Sequence, residues 1–559
     1  MTWRYKLVLF AVTFAFILVI LRLFYWQVVR ASELSAMGQA QYGSTLKIMP
    51  ERGNIETSDG FPIAASKISY LVFADPKQIP NKNLTMNSLT GLLNVDPSTL
   101  SAELSLDRYW VPLKDNVDIP TKQKIEGLNL PGIGFSQQYQ RYYPEASMAA
   151  QLLGFVGKDA QGNDKGYFGL EGYYDRLLQG KEGVATQILD AFGRPILTRV
   201  NGTSGATDGD NLILNINRSI QFLVEKKLKE GIKKYGAVSG MVGIMDPKTG
   251  NILAMASYPN FDPRDYQNYS EDLYKNPFIS DLYEPGSTFK PIVMSAALNE
   301  NLITPQTTCP ICSGPVPVGG YLIHTWDDKY FPNTTMIQVI QHSDNTGMVF
   351  VAQKLGVDRM ISALNSFGIG SNTGIDLQGE VSSPLKPNDQ WYPVDLATTG
   401  FGQGISVTPI ELLDAIGAIA NGGKRMEPHV VAAVQSPDGS VIKIAPKVVD
   451  QPISPQTAKV MTEIMVNAVN NGEAAWTRLK GYRIAGKTGT ASIPIAGHYD
   501  PTQTIASFIG FAPADNPKFV MLVILNKPSA AIYGSETAAP IFFDIAKDLL
   551  AYYGIPPSQ

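Results

Sequence analysis

The stretch Glu284-Pro285-Gly286-Ser287-Thr288-Phe289-Lys290-Pro291 constrains this chain more than any other. Pro-Gly marks a sharp turn. After Lys290 a small and apolar series, Ile292 to Leu298, predicts a helix. Ser287 then stands at or near a helix N-terminus, and Lys290, three residues on, lies on the same face one turn away. A serine hydroxyl is a weak nucleophile at neutral pH and needs a base within hydrogen-bond reach, which a lysine held neutral can be. Ser-x-x-Lys alone equally describes a capped helix carrying a solvated lysine, so the rest of the chain must decide between the two.

Ser343-Asp344-Asn345 follows 56 residues after Ser287, and Lys487-Thr488-Gly489 follows 144 residues after that. These three motifs, in this order, are the set of the penicillin-binding proteins and class A β-lactamases. The chain resembles the penicillin-recognising serine transpeptidases. The resemblance implies acyl transfer, with Ser287 attacking a carbonyl and Lys290 taking its proton. Burial and a second cation both depress a lysine pKa, and Lys487 would be that cation. Ser343 would relay a proton to the leaving amine, and Asn345 would bond a substrate amide. Thr488, Gly489 and Thr490 would bind substrate, the two threonines at its terminal carboxylate. The backbone N–H groups of Ser287 and Thr490 would form the oxyanion hole. Ile484-Ala485-Gly486 and Gly489-Thr490-Ala491 predict a close-packed strand along whose edge a peptide can lie. Asp344 and His342 are expected to be structural. The implied donor is a stem peptide ending in D-Ala-D-Ala, with no metal or organic cofactor, and β-lactams would acylate the same serine.

The N-terminus sets the address. Arg4 and Lys6 precede an apolar run, Leu7 to Val29, broken by Arg22 and long enough to span a bilayer. The positive-inside rule puts residues 1–6 in the cytoplasm and everything after residue 30 outside it. A cleaved signal peptide is the competing assignment, but the small residues near Ala36 lie far from the end of the run. Arg22 is expensive in lipid and is expected to snorkel outward or to face a partner helix. The two cysteines, Cys309 and Cys312, sit outside the cytoplasm, where a local disulfide or two thiols is preferred to a zinc site built with His324, Asp327 and Asp328.

A chain of 559 residues calls for two or three domains. A net charge of −4 leaves no footprint for nucleic acid. Between the anchor and the Gly- and Asp-rich stretch Ser204 to Asn211, three segments resemble pedestal signatures of class B penicillin-binding proteins. They are Arg52-Gly53-Asn54-Ile55, Arg141-Tyr142-Tyr143-Pro144 and Gly169-Leu170-Glu171-Gly172-Tyr173-Tyr174. That family usually has Asp two residues after the isoleucine, where this chain has Thr57. The expected organisation is a cytoplasmic tail (1–6), a transmembrane anchor (7–29), a β-rich pedestal of the dimerisation type (30–205) and a penicillin-binding transpeptidase domain (206–559). The expected fold class is α/β, an antiparallel sheet with a helical cluster. Leu212–Ile216, Met241–Met245, Asn251–Ser257, Ile505–Phe511 and Phe519–Leu525 read as strands, and Arg218–Lys234 and Ile541–Tyr552 as helices. Gly400-Phe401-Gly402-Gln403-Gly404 lacks the ending of a phosphate loop and is taken as structural.

A β-lactamase would need a glutamate that activates water. Glu380 lies near the expected place, but its setting, Thr373-Gly374-Ile375-Asp376-Leu377-Gln378-Gly379-Glu380, looks like a class B segment. A β-lactam sensor would need a cytoplasmic effector larger than six residues. Within class B, Glu284-Pro285-Gly286-Ser287 is more like the division type than the elongation type, and either would work with a polytopic glycosyltransferase of the shape, elongation, division and sporulation family.

Overall fold

The computed structural model describes residues 2–188, 201–495 and 498–557. The chain divides into two compact units that interleave in sequence: Met1–Arg52, Ile68–Tyr139 and Gln179–Gly209 form one, and Gly53–Lys67, Gln140–Leu178 and Asp210–Gln559 the other.

In the first unit, helix Trp3–Phe24 continues as the π-turn Tyr25–Val29 and is exposed over its length, a segment long and apolar enough to cross a membrane. Thr13 Oγ1 donates to the Leu9 carbonyl at 2.8 Å, which satisfies the hydroxyl within the helix itself. Arg22 and Arg30 each place a guanidinium 5.4 Å from the Trp26 ring centroid, so the aromatic anchors both cations. The rest of this unit is a small α/β module. Strand Val111–Val117 pairs antiparallel with Tyr70–Ala74, and helices Lys82–Leu93, Pro97–Ser105 and Ile119–Gly127 pack around Val72, Leu89, Leu100, Leu113 and Ile125. Each helix opens on a side-chain cap, Asn81, Asp96 and Asp118 accepting from the backbone N–H of Leu84, Ser98 and Thr121.

The second unit is built on a five-stranded antiparallel sheet in the order Ile252–Tyr258, Ser239–Met245, Phe519–Asn526, His498–Ala512, Ala485–Ile495. The sheet is covered on both faces, which is why Phe519–Leu525 is an unbroken apolar run rather than an alternating one. One face packs on helices Arg218–Tyr235 and Ala538–Tyr552 through Val224, Leu228, Phe508, Phe542 and Phe543. The other carries the helical cluster of Lys290–Asn299, Asn345–Ser366, Pro409–Ala420 and Pro455–Asn471. Pro409–Ala420 is buried throughout and starts with a capping box, Thr408 Oγ1 accepting from Glu411 N while the Glu411 carboxylate accepts from Thr408 N and Oγ1.

The structure gives four of the sequence expectations a more definite form. The strand at Leu212 runs Asn211–Leu214 and lies in a second sheet, beside Val431–Gln435 and Ile55–Glu56. Gly53–Lys67 and Gln140–Leu178, read from sequence as pedestal, pack with the catalytic unit. Arg141 ties the two segments together, its Nε donating to Glu171 Oε1 at 2.6 Å with both side chains buried and its Nη1 to Gly53 O at 2.7 Å, and Tyr174 joins them to the catalytic part, donating to Asp376 at 2.9 Å. Thr57 closes a local turn on Phe61, its N–H and Oγ1 both donating to the Phe61 carbonyl. Cys309 and Cys312 form a disulfide with Cα atoms 5.6 Å apart, which removes both sulfurs from the zinc alternative.

Candidate active site

Ser287 lies in a single 3₁₀ turn, Gly286–Phe289, that runs directly into helix Lys290–Asn299. Pro291 sits in the first turn of that helix, where a missing N–H costs nothing. Gly286 has φ +56 and its N–H donates to Gly402 O at 2.9 Å; a Cβ on Gly402 would stand 2.2 Å from Gly286 O. Two glycines thus let backbone pack on backbone and fix the turn that presents Ser287. The Gly400–Gly404 segment is therefore structural in the expected sense, and Phe401 and Gln403 also line the cleft.

Lys290 is fully buried. Its Nζ donates to Ser343 O at 2.5 Å, to Asn345 Oδ1 at 2.8 Å and to Ser343 Oγ at 3.3 Å. Asn345 Nδ2 donates to His324 O at 3.0 Å, which turns the amide oxygen toward the lysine. Asp344 caps helix Asn345–Ser366, accepting from Thr346 N at 2.8 Å and Gly347 N at 3.1 Å. His342 stacks on Phe331 with ring centroids 4.4 Å apart. The middle residue of the second motif and its neighbouring histidine thus have structural partners.

The third motif lies on Ala485–Ile495, the edge strand of the sheet. Lys487 is buried and donates to Thr488 Oγ1 at 2.8 Å and Thr488 O at 3.1 Å. A Cβ on Gly489 would meet Ser507 Oγ at 2.3 Å and Thr288 Cγ2 at 2.8 Å, so only glycine lets this strand lie against the serine turn. Thr490 Oγ1 accepts from Gly534 N at 3.0 Å.

Burial, and next the charge on Lys487, push Lys290 down to about 7, against smaller opposing pulls from Asp344 and Glu473. Burial lowers Lys487 as well, and Glu473 opposes that shift. A lysine near 7 is divided between its two forms at neutral pH, the condition for a general base.

Ser287, Ser343, Asn345, Thr488 and Thr490 line one cleft of about 280 Å³, with Lys290 and Lys487 buried behind its wall. Residues from three distant motifs have converged. The sequence reading missed Glu473, which enters the cleft wall and accepts from Thr488 Oγ1 at 2.7 Å, and the pair Trp326 and Tyr533, whose rings meet edge-on at 5.3 Å on the cleft lining. Glu473 has no motif around it, and it stands just past the end of helix Pro455–Asn471. Glu380 is engaged elsewhere, its carboxylate accepting from Thr373 N at 2.7 Å, Thr373 Oγ1 at 2.6 Å and Gly374 N at 3.2 Å.

Residues 240–547 match the model of the penicillin-binding protein transpeptidase domain, and residues 47–214 that of the penicillin-binding protein dimerisation domain. Stage V sporulation protein D of Bacillus subtilis (strain 168) is 34% identical over 99% of this chain and 87% of its own length. Peptidoglycan D,D-transpeptidase FtsI of Escherichia coli (strain K12) is 29% identical over 100% of this chain and 93% of its own. The crystal structure of a peptidoglycan synthetase from Bifidobacterium adolescentis superposes with a TM-score of 0.75 at 27% identity, covering 92% of this chain and 98% of that one.

Proposed function

This chain belongs to the class B penicillin-binding transpeptidases, and from that premise we propose that it cross-links peptidoglycan by acyl transfer from Ser287. The observation that supports this best is the buried, near-neutral Lys290 beside Ser343 and Asn345 in the cleft that Ser287 lines. Ser287 Oγ attacks the carbonyl of the penultimate D-Ala of a stem peptide, and its proton passes to neutral Lys290. The tetrahedral intermediate collapses to an ester, and the terminal D-Ala leaves with a proton relayed through Ser343. An amine of a neighbouring stem peptide then attacks the ester, and the serine regains its proton. Asn345 bonds the donor's amide. Lys487 and the Thr490 hydroxyl receive its carboxylate along the edge strand Thr488-Gly489-Thr490, and the N–H groups of Ser287 and Thr490 bind the oxyanion. β-lactams enter the same cleft and acylate the same oxygen.

The helix at Trp3–Val29, long and apolar enough to cross a membrane, makes this a membrane-anchored protein. The finer reading is a single pass through the inner membrane, with residues 1–6 in the cytoplasm, 7–29 spanning, 30–205 as pedestal and 206–559 catalytic outside. A polytopic glycosyltransferase of the shape, elongation, division and sporulation family would supply the glycan strand. Division is the favoured setting, on Glu284 before Pro285-Gly286-Ser287.

The test is labelling by a fluorescent penicillin together with cross-linking of stem peptides in vitro. Ser287→Ala should lose both while keeping the thermal transition. A penicilloyl adduct located on another residue overturns the assignment, and labelling without cross-linking by the wild type points to a sensor instead. Localisation at the side wall rather than midcell overturns the division setting.

A further inference from the structure

Glu473 belongs to none of the three motifs, yet its carboxylate accepts from Thr488 Oγ1 at 2.7 Å on the cleft wall. The same oxygen accepts from Lys487 Nζ at 2.8 Å. A hydroxyl has one proton to give, so this geometry commits that of Thr488 to Glu473 and turns a lone pair to the lysine. The chain of donors runs one way, from ammonium to hydroxyl to carboxylate. Thr490 differs: its oxygen accepts from Gly534 N, which leaves its proton for a ligand. Backbone packing sets the position of Glu473. A Cβ on the preceding Gly472 would stand 2.4 Å from Ala468 O and 2.7 Å from Gln341 O, so the chain leaves helix Pro455–Asn471 in close contact with its neighbours.

We propose that Glu473 is a positioning residue for acyl transfer: through the Thr488 hydroxyl it holds Lys487 as an oriented ammonium that acts on Lys290 and on the incoming carboxylate. The proposal rests on Ser287 and Lys290 as nucleophile and base. Lys487 is enclosed, and burial favours its neutral form. The opposing charge on it is Glu473. The charges acting on Lys290 are Lys487, Asp344 at the cap of helix Asn345–Ser366, and Glu473. Lys487 depresses Lys290 and attracts a carboxylate only while it carries its proton. Without Glu473 it gives up that proton at lower pH, and acylation fails from the alkaline side.

The experiment measures the second-order acylation rate with a fluorescent penicillin from pH 5 to 11, locating the adduct by mass spectrometry. Glu473→Gln should move the alkaline limb down by about one pH unit or more, the size expected for loss of a nearby opposite charge. Glu473→Asp should restore most of the wild-type limb, and Thr488→Val should move it the same way as Glu473→Gln. A Glu473→Gln protein labelled on Ser287 with an unmoved alkaline limb overturns the proposal, whatever its thermal stability. If that variant does not fold, Thr488→Val decides, and an unmoved limb there overturns it equally. A wild-type adduct away from Ser287 is a separate outcome: it overturns the nucleophile assignment beneath the proposal.

Discussion

Lys290 Nζ donates to the Ser343 carbonyl at 2.5 Å, and Ser343 holds that carbonyl in place with a left-handed backbone, φ +56. A non-glycine residue in that region costs of order 1 kcal/mol and persists where its surroundings over-determine it. Here they do. The residue before it ends one helix, the residue after it caps the next, and the peptide between them must turn its oxygen to the buried amine. The serine side chain, required for the hydroxyl, occupies a position that glycine would fill at less cost.

That relationship separates two variants. Ser343→Ala and Ser343→Gly both remove the hydroxyl and should slow aminolysis alike, by about 10²-fold or more for loss of a proton relay. Glycine should be the more stable of the two by about 1 kcal/mol, because it adopts φ +56 without strain. Urea midpoints of the two proteins give the comparison. Equal midpoints would mean that the turn relaxes when the side chain is lost.

The acid limb of acylation follows from Lys290. Only the neutral amine accepts the serine proton, so the rate should rise with pH through about 7 and level off above it. Two pH units below that midpoint it should be about 100-fold under the plateau. Asn345→Asp places a carboxylate where an amide oxygen now lies 2.8 Å from Nζ, and should move the limb to higher pH by about one unit or more. A limb that stays put in this variant would take Lys290 out of the role of base.

The same group makes a stability prediction with a definite sign. The folded protein releases the Lys290 proton near 7, whereas the unfolded chain holds it to about the ordinary 10.5. Between these values the unfolded state binds more protons, so stability gains from this group as pH rises, at up to about 1.4 kcal/mol per pH unit. Below 7 both states carry the cation, and the folded state bears the full cost of burying it. Lys290→Met, similar in length and uncharged, should be more stable than wild type at pH 6, with the difference closing toward pH 10.5. Parallel stability profiles for the two proteins across that range would show that Lys290 is not the buried cation described here.

Local features of this site were legible and long-range ones were not. Ser287 and Lys290 are three residues apart, and helical spacing alone places them on one face. Strands and helices with a clear hydrophobic period could be read to within a few residues: the strand Met241–Met245 is observed as Ser239–Met245, and the helix Arg218–Lys234 as Arg218–Tyr235. The family resemblance joined the three motifs, which no periodicity could do. Glu473 escaped because its bond to Thr488 exists only after helix Pro455–Asn471 has packed beside strand Ala485–Ile495. The packing of Gly53–Lys67 and Gln140–Leu178 with Asp210–Gln559 was not legible for a similar reason: a bond such as that of Tyr174 to Asp376 is made by tertiary contact, and composition does not distinguish a pedestal tyrosine from one that braces the catalytic unit.

The lifetime of the penicilloyl-enzyme tests the site as a whole. In the proposed reaction acylation has its base in Lys290, bonded to Ser343 and Asn345. Hydrolysis needs a second base that activates water on the ester's other side. Glu380, the residue whose place in the sequence invited that role, spends its carboxylate on Thr373 N, Thr373 Oγ1 and Gly374 N. Glu473 does reach the cleft, but as the acceptor of the Thr488 hydroxyl. The natural acceptor is an amine, a better nucleophile than water and delivered on its own strand. A β-lactam leaves its amine tethered to the acyl group, where it obstructs that acceptor. The acyl-enzyme should therefore outlive many transpeptidation cycles. Glu380→Ala should leave its lifetime unchanged while lowering thermal stability through the lost turn. The measurement isolates the labelled protein, removes free drug and follows loss of label. Decay within seconds that Glu380→Ala abolishes would mark the chain as a hydrolase and return Glu380 to the chemistry.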